Sequence, residues 1–295
     1  MSGLIHDGSR ESSATEMSSA QFKTVAQLAY RVAGLSLSGN KRGIVSSRLK
    51  VRMRTLDCDS FEDYLQRVDK SHDELEALID VLTTNETRFY REMRHFEFLR
   101  RSVWPYLKPP VRVWSAACST GEEAFTTAIE ISQNCTPDAA RGARVLATDV
   151  APSVLEVGKK GVYSRDRLVA VPDNLRDRYF QAEGSDKATF KARRRLRSMV
   201  SFAKLNLMEG WPMKGFFSVI FLRNVLIYFD EQTRNWLTTR LAQYLVKGGV
   251  LIISHTESLD RVPANMRLLQ PSIYQRTEVS ERGRMPARPN PAETR

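Results

Sequence analysis

Cysteine is scarce in this chain. The three residues, Cys58, Cys118 and Cys135, are odd in number and show no CxxC spacing. That excludes a disulfide framework and a thiolate zinc site, and the cytoplasm is the expected compartment. Histidine is nearly as sparse: His6, His72, His95 and His255 are scattered along the chain, and none makes a metal-type pair. No metal is therefore expected. No apolar run approaches the ~20 residues of a membrane-spanning helix, so no membrane insertion is expected. The opening MSGLIHDGSRESSATEMSSA has neither the apolar stretch of a signal peptide nor the arginines of a transit peptide. Internal repeats are missing. Acidic residues are outnumbered, 34 against 45 Lys and Arg, which leaves a net charge of +11. A surface of that sign attracts nucleic acid, anionic lipid or an acidic protein, and charge alone does not choose among them.

At 295 residues the chain has room for two domains. Residues 1–18 are polar and Ser-rich and are expected to be disordered. Residues 19–82 read as a small all-helical domain. QFKTVAQLAYRVAG places Phe22, Val25, Ala29 and Val32 on one face and stops at Gly34. GIVSSRLKVRMRTL places Val45, Leu49, Met53 and Leu56 on another. Ser60 precedes FEDYLQRV, and Ser71 with Glu74 makes a capping-box pattern. From Lys41 to Arg54 there are six cations and no acid, with Arg48/Arg52 and Lys50/Arg54 in like-charge i,i+4 pairs. Such a stripe is either a solvated basic face or a docking face for an acidic partner.

TTNETRFYRE, residues 83–92, then sets hydrogen-bonding side chains beside two aromatics and Arg91. With the following helix it forms a connecting segment, 83–105, in which Phe89 and Tyr90 are expected to pack the seam between the two domains. From residue 106 short apolar runs alternate with helical patterns, which predicts a doubly wound, mostly parallel α/β sheet. DEQTRNWLTTRLAQYLVKGG reads as a helix that ends at Gly248-Gly249. Residues 162–198 break the rhythm with a polar, turn-containing, Arg-rich stretch, read as an inserted subdomain. The tail, 278–295, is rich in Pro and Arg and is expected to be disordered.

Three stretches carry chemistry. VWSAACSTGEEAF opens a helix after the first strand with a loop of small residues, which lets a ligand approach the backbone. Glu122 and Glu123 at its mouth suit a cationic ligand group, or simply a helix N-terminus. Asp149 ends the next strand, either as a ribose reader or as a cap for the helix near Pro152. Together they favour a nucleoside ligand with a positive part and no phosphate, a description that S-adenosylmethionine fits. Arg223 and Asn224 follow the apolar run FFSVIF, where a strand should open into the ligand cleft, with Tyr228 one turn on. Asn206 in LNL is a turn residue or an adenine-side contact.

TTNETRFYRE, WSAACSTGEEAF, ATDVAPSVLEVGKKGVY, LNL, FLRNVLIYFD and VKGGVLIISHTESL, taken in this order over residues 20–277, resemble the chemotaxis receptor methyltransferase family (CheR-type). The resemblance implies a small all-α N-terminal domain, then a class I S-adenosylmethionine-dependent methyltransferase domain over 106–277 with a small inserted β-subdomain. It implies methyl transfer to glutamate side chains of chemoreceptors, giving γ-methyl esters and S-adenosylhomocysteine. By motif, Asn85, Thr87 and Arg91 contact the cofactor. Glu122 or Glu123, with Glu123 favoured, binds its amino-acid end. Asp149 reads the ribose, Asn206, Leu207, Arg223 and Asn224 flank it, and Arg91 and Tyr228 lie nearest the methyl-transfer site. One departure is Ala124, where the family often has Pro; in a first helical turn this should matter little.

A glutamate nucleophile is already ionised near neutral pH, with a pKa of about 4.3 in water, so no general base is needed. The missing histidine and metal clusters accord with that. The expected partners are the acidic cytoplasmic methylation helices of chemoreceptors, docked on Arg48, Lys50, Arg52 and Arg54, with the enzyme a monomer. A nucleic-acid methyltransferase is the rival that +11 suggests. A flipped-base pocket motif is not found where RNVLIYFD stands, so no nucleic acid partner is expected.

Overall fold

The computed structural model describes residues 16–184 and 188–277. The expected disordered ends, apart from residues 16–18, and the Ser-Asp-Lys of the insert's turn lie outside the described residues. Four helices come first: α1 (Ser19–Ala33), α2 (Arg42–Thr55), α3 (Phe61–Lys70) and α4 (His72–Leu82). Their starts are set by side chains that take up free backbone N–H groups. Ser18 and Gln21 form a reciprocal capping box, while Ser60 and Ser71 accept from Asp63 N and Glu74 N. Gly34 closes α1 in the left-handed region at φ 71°. A Cβ there would lie 2.7 Å from Met208 Sδ, so this glycine is also a point of close approach between helices and sheet.

After α5 (Met93–Ser102) the chain alternates: β1 (Arg112–Ser115), α6 (Glu122–Asn134), α7 (Pro137–Arg141), β2 (Arg144–Asp149) and α8 (Pro152–Lys160). Then follow β3 (Val162–Ser164), α9 (Asp173–Tyr179), β4 (Phe180–Glu183), β5 (Thr189–Ala192) and α10 (Arg194–Arg197). The described residues close with β6 (Val200–Lys204), β7 (Phe217–Leu222), α11 (Glu231–Ala242), β8 (Leu245–Ile253), β9 (Met266–Gln270) and β10 (Ile273–Arg276). Seven strands form one sheet in the order β6-β2-β1-β7-β8-β10-β9. The first five run parallel; β10 is antiparallel to β8 and to β9. From β1 the chain winds outward to one side through β2 and β6, then to the other through β7 and β8. That reversal opens a crevice at the C-terminal ends of β1 and β7. β3, β5 and β4 make a separate antiparallel sheet within the insert. Among the described residues no helix is long and apolar enough to cross a membrane.

The sheet is apolar on both faces, and β7 is buried at every position. Ile220 and Leu222 join a cluster with Val25, Leu49 and Tyr64 of the helical segment and Leu237 of α11. Val219 and Phe221, one residue out of phase, join the opposite cluster with Phe96 of α5, Phe125 of α6 and Tyr163 of the insert.

Two expectations need correction. The helix predicted to run to Gly248-Gly249 stops at Ala242, and the glycines sit inside β8. There the pairing of β7 with β8 slips between Phe217 and Val219, and Gly248 has φ 78°. A Cβ on Gly249 would meet three carbonyl oxygens at 3.0–3.1 Å, so the pair forms a bulge rather than a helix stop. Phe89 and Tyr90 were expected to pack between the helical domain and the sheet. Phe89 instead meets Tyr163 and Phe180 of the insert edge-on, with centroids at 5.1 and 5.6 Å, and Tyr90 packs on Phe96. The seam with the helices is made by Leu205, Leu207, Met208 and Phe229. β9 was not anticipated; all but one of its residues are exposed, so it carries no alternation to read.

Candidate active site

The crevice is a cavity that encloses about 890 Å³ with its mouth. The linker lines it with Asn85, Thr87 and Arg91, the β1–α6 loop with Ala116, Ala117, Ser119 and Glu123, and the β2 end with Asp149 and Val150. Asn206 and Leu207 follow β6, Arg223, Asn224 and Tyr228 follow β7, and Ala33 and Leu35 close it from the helical side.

Asp149 is nearly buried, and its carboxylate takes two backbone N–H groups, Ser119 N at 2.8 Å and Ala151 N at 3.1 Å. It therefore fixes the β1–α6 loop against the end of β2. It is not the cap of α8, whose N-cap is Ala151. Burial pushes the Asp149 carboxyl up, against the pull of these amides. Each oxygen keeps lone-pair capacity for a diol in the cavity. Ser119, held at φ 48°, also donates its hydroxyl to Asn85 O at 2.9 Å, which ties the linker to the same loop.

The two glutamates divide. Glu123 lines the cavity; it accepts from Ser115 Oγ at 2.6 Å and Arg223 Nη1 at 2.9 Å. Glu122 does not line it. Its side chain is fully buried, held by Thr120 Oγ1 at 2.6 Å and by Arg167 of the insert. Consecutive helical residues point about 100° apart, so only one of the pair faces the ligand. Glu122 as a cofactor contact is thereby corrected.

Arg223 is buried between Glu123, the Arg91 carbonyl oxygen and Glu92 Oε2, the last at 3.5 Å. Its Nε has no partner among the described residues, an orphaned donor at the cavity wall. Asn224 adopts φ 58°; its Nδ2 donates to Ser254 Oγ at 2.8 Å and its N–H to Glu257 Oε2. Asn206, which lines the cavity, turns its amide to Val32 O at 2.7 Å and to Glu209, so its side chain ties helix α1 to the β6 end. Arg91 Nη1 donates to Glu86 O at 2.6 Å. Tyr228 is half-buried, with Lys41 Nζ 5.8 Å from its ring centroid and no described residue bonded to its hydroxyl.

Sequence reasoning missed Glu92 and Glu257. Glu92 accepts from Ser254 Oγ at 2.7 Å and His255 N at 3.1 Å and faces Arg223. Burial opposes its charge, but Arg223 and these donors outweigh it and hold the carboxyl down at about 2. Glu257 accepts from the N–H groups of Ser254, Asn224 and Ile227 and so shapes the turn that carries Tyr228. Both lay inside stretches already marked, RFYRE and HTESL; a lone Glu there gives no signal until its partners are known.

The scattered histidines also need revision. The fold sets the His95 and His255 rings against each other, tilted by 38° with centroids 4.0 Å apart, and with Glu92 they bring three donor atoms within 4.8 Å. The Arg223 guanidinium, already paired with the same carboxylate, suits an ion-pair hub better than a divalent cation. Burial, followed by Arg223 and His255, pushes His95 down to about 3, so it stays neutral.

The basic stripe of α2 is not uniform either. Arg48 Nη1 donates to Leu82 O at 2.9 Å and Thr83 O at 3.0 Å, and Nη2 to Thr84 Oγ1. Arg52 pairs with the buried Glu74 through bonds of 3.0 and 2.6 Å. These two arginines are spent inside the protein, closing α4 and joining α2 to it. The half-buried Lys50 and the exposed Arg54 have no such inward carboxylate or helix-end partner among the described residues, and the exposed Ile44 and Val51 lie on the same helix.

Comparison with known proteins adds an independent line. Residues 85–274 match the family model "CheR methyltransferase, SAM binding domain", and residues 20–83 match "CheR methyltransferase, all-alpha domain". The chain is 35% identical over 262 residues to a chemotaxis protein methyltransferase of Borreliella burgdorferi, covering 85% of this chain and 92% of that one. It is 34% identical to chemotaxis protein methyltransferase 2 of Pseudomonas aeruginosa, covering 86% and 91%. The Escherichia coli chemotaxis protein methyltransferase is 34% identical over 266 residues, 88% of this chain and 91% of that one.

Proposed function

The chain belongs to the CheR methyltransferase family, and from that premise we propose that it transfers methyl groups from S-adenosylmethionine to glutamate side chains of chemoreceptors, forming γ-methyl esters. We take residues 19–82 as the helical domain, 83–105 as the linker and 106–277 as the methyltransferase domain, with an insert at about 162–198. The observation that carries the reading is the convergence on one cavity of Glu123, Asp149 and Arg223 from three strand ends with Asn85, Thr87 and Arg91 of the linker. The donor set suits the cofactor: a carboxylate for an amino group, a carboxylate for a ribose diol, and an orphaned guanidinium Nε for a carboxylate.

When bound, S-adenosylmethionine supplies an electrophilic sulfonium methyl. Glu123, fixed by Ser115 and Arg223, would hold its amino-acid end, and Asp149 its ribose. Asn206 and Leu207 bound the base side, and Asn224 the β7 side. Arg91 and Tyr228 act on the substrate. The Tyr228 hydroxyl and one Arg91 nitrogen each can donate to a single oxygen of the substrate carboxylate. A single-point contact orients that group and leaves the other oxygen free to attack in line, whereas a bidentate clamp would quench both. The apolar lining from Ala33, Leu35, Leu205, Leu207 and Phe229 excludes water from a weak nucleophile. Lys50 and Arg54 of α2, with the exposed Ile44 and Val51 of the same helix, are the docking surface for acidic methylation helices.

The test is incubation with radiolabelled S-adenosylmethionine and receptor cytoplasmic fragments, scoring base-labile methyl ester. Label released as methanol on mild base is the expected result. Absence of base-labile label on any receptor fragment tried, with the cofactor bound, would reject the assignment.

A further inference from the structure

We propose that Arg167, delivered by the inserted subdomain, is a positioning residue that fixes the β1–α6 loop and thereby sets cofactor affinity. The inference rests on the reading that S-adenosylmethionine occupies the cavity above.

Glu122 opens α6 with its side chain fully buried and outside the cavity lining. A carboxylate in that place must be paired and hydrogen-bonded or surrender its charge. Arg167 supplies the pairing: its Nη1 reaches Glu122 Oε1 and also Thr120 Oγ1, the latter at 2.9 Å. Thr120 in turn donates its hydroxyl to Glu122 Oε2 at 2.6 Å, so both carboxylate oxygens are satisfied. A second residue of the insert, Tyr163, donates its hydroxyl to Thr120 O at 2.7 Å. Two side chains of the insert thus grip Thr120 and Glu122, while the neighbours of those residues, Ser119 and Glu123, line the cavity.

The rigidity is transmitted through covalent neighbours. Ser119 gives its N–H to Asp149, and Glu123 meets Arg223. Holding Glu122 fixes the rotation of the first turn of α6, and so the direction of Glu123. Arg167 sits in the turn Arg165–Leu168, anchored by the fully buried Leu168, while its own side chain stays 44% exposed. The insert therefore reaches the cofactor loop through a group that its outer surface leaves accessible.

The experiment uses the full chain carrying Arg167→Gln, Arg167→Lys or Tyr163→Phe. S-adenosylhomocysteine binding is read by calorimetry, and initial rates with a receptor fragment are read against S-adenosylmethionine concentration. Arg167→Gln should raise both the product Kd and the cofactor KM roughly tenfold with kcat within about twofold, and Arg167→Lys should recover most of the loss. Tyr163→Phe keeps the ring and removes one bond, and should raise the Kd about threefold, so it decides the matter if Arg167→Gln does not fold. Wild-type affinity in the variants overturns the inference, as does a loss that Lys rescues no better than Gln. Failure of the wild type to bind S-adenosylhomocysteine overturns the cofactor reading itself, and this inference with it.

Discussion

Tyr228 and Arg91 reach the cavity from segments far apart in sequence, and neither is buried in an ion pair. On the proposed reading that both contact the substrate carboxylate, Tyr228→Phe and Arg91→Ala should lower kcat by about tenfold or more while leaving S-adenosylhomocysteine affinity within about threefold. Calorimetry beside steady-state rates checks this; a loss confined to cofactor binding would remove both from the methyl-transfer site. His95 yields a pH prediction. Its folded pKa, about 3, lies below the ordinary histidine value, so between the two only the unfolded chain carries the extra proton. Stability then falls as pH drops from about 6.5, by up to about 1.4 kcal/mol per pH unit for this group. Arg223, Glu92 and His255 are the charged or titratable groups that face it. His95→Gln should flatten the Tm profile between pH 6.5 and 5, measured by thermal melts; an unchanged slope would mean that the histidine is not held neutral.

Helix α2 carries two kinds of cation on one element. Arg52 neutralises Glu74, whose side chain is only 8% exposed, so Arg52→Ala leaves a near-buried carboxylate without its partner. A loss of about 1–3 kcal/mol is expected from denaturant unfolding. Lys50→Glu with Arg54→Glu removes no such bond and should leave Tm within a degree or two. It should instead raise the KM for receptor fragments, most strongly at low salt. If the outward pair changes stability and the inward arginine changes only KM, the division of the helix is wrong.

At the scale of the whole molecule, the helical segment and the sheet share one apolar cluster. Val25, Leu49 and Tyr64 from the former and Ile220, Leu222 and Leu251 from the latter all belong to it. Neither part keeps its apolar face covered without the other, so calorimetry should record a single unfolding transition, raised by S-adenosylhomocysteine. Two well-separated transitions would show that the helical segment folds as an independent unit.

The sequence by itself determined what is local and periodic. Helix starts at Ser60 and Ser71, the helix stop at Gly34, the parallel alternation and the strand end at Asp149 follow from capping chemistry and from runs of apolar residues. These need only neighbours in the chain. The ligand-bearing stretches were legible for the same reason, since strand-end loops of a doubly wound sheet face one crevice whatever their contents. Tertiary structure alone decided which charges are free. Glu122 and Glu123 are indistinguishable in sequence, and helix rotation against the insert turns one to Arg167 and the other to Arg223. Arg48, Lys50, Arg52 and Arg54 form one stripe in sequence, yet the packing of α4 claims two and leaves two. Gly248-Gly249 read as a helix stop until the register of β7 with β8 demanded a bulge. The physical reason is common to all of these: a charge or a glycine is defined by its partner, and each partner here lies some 20 to 100 residues away or on another element.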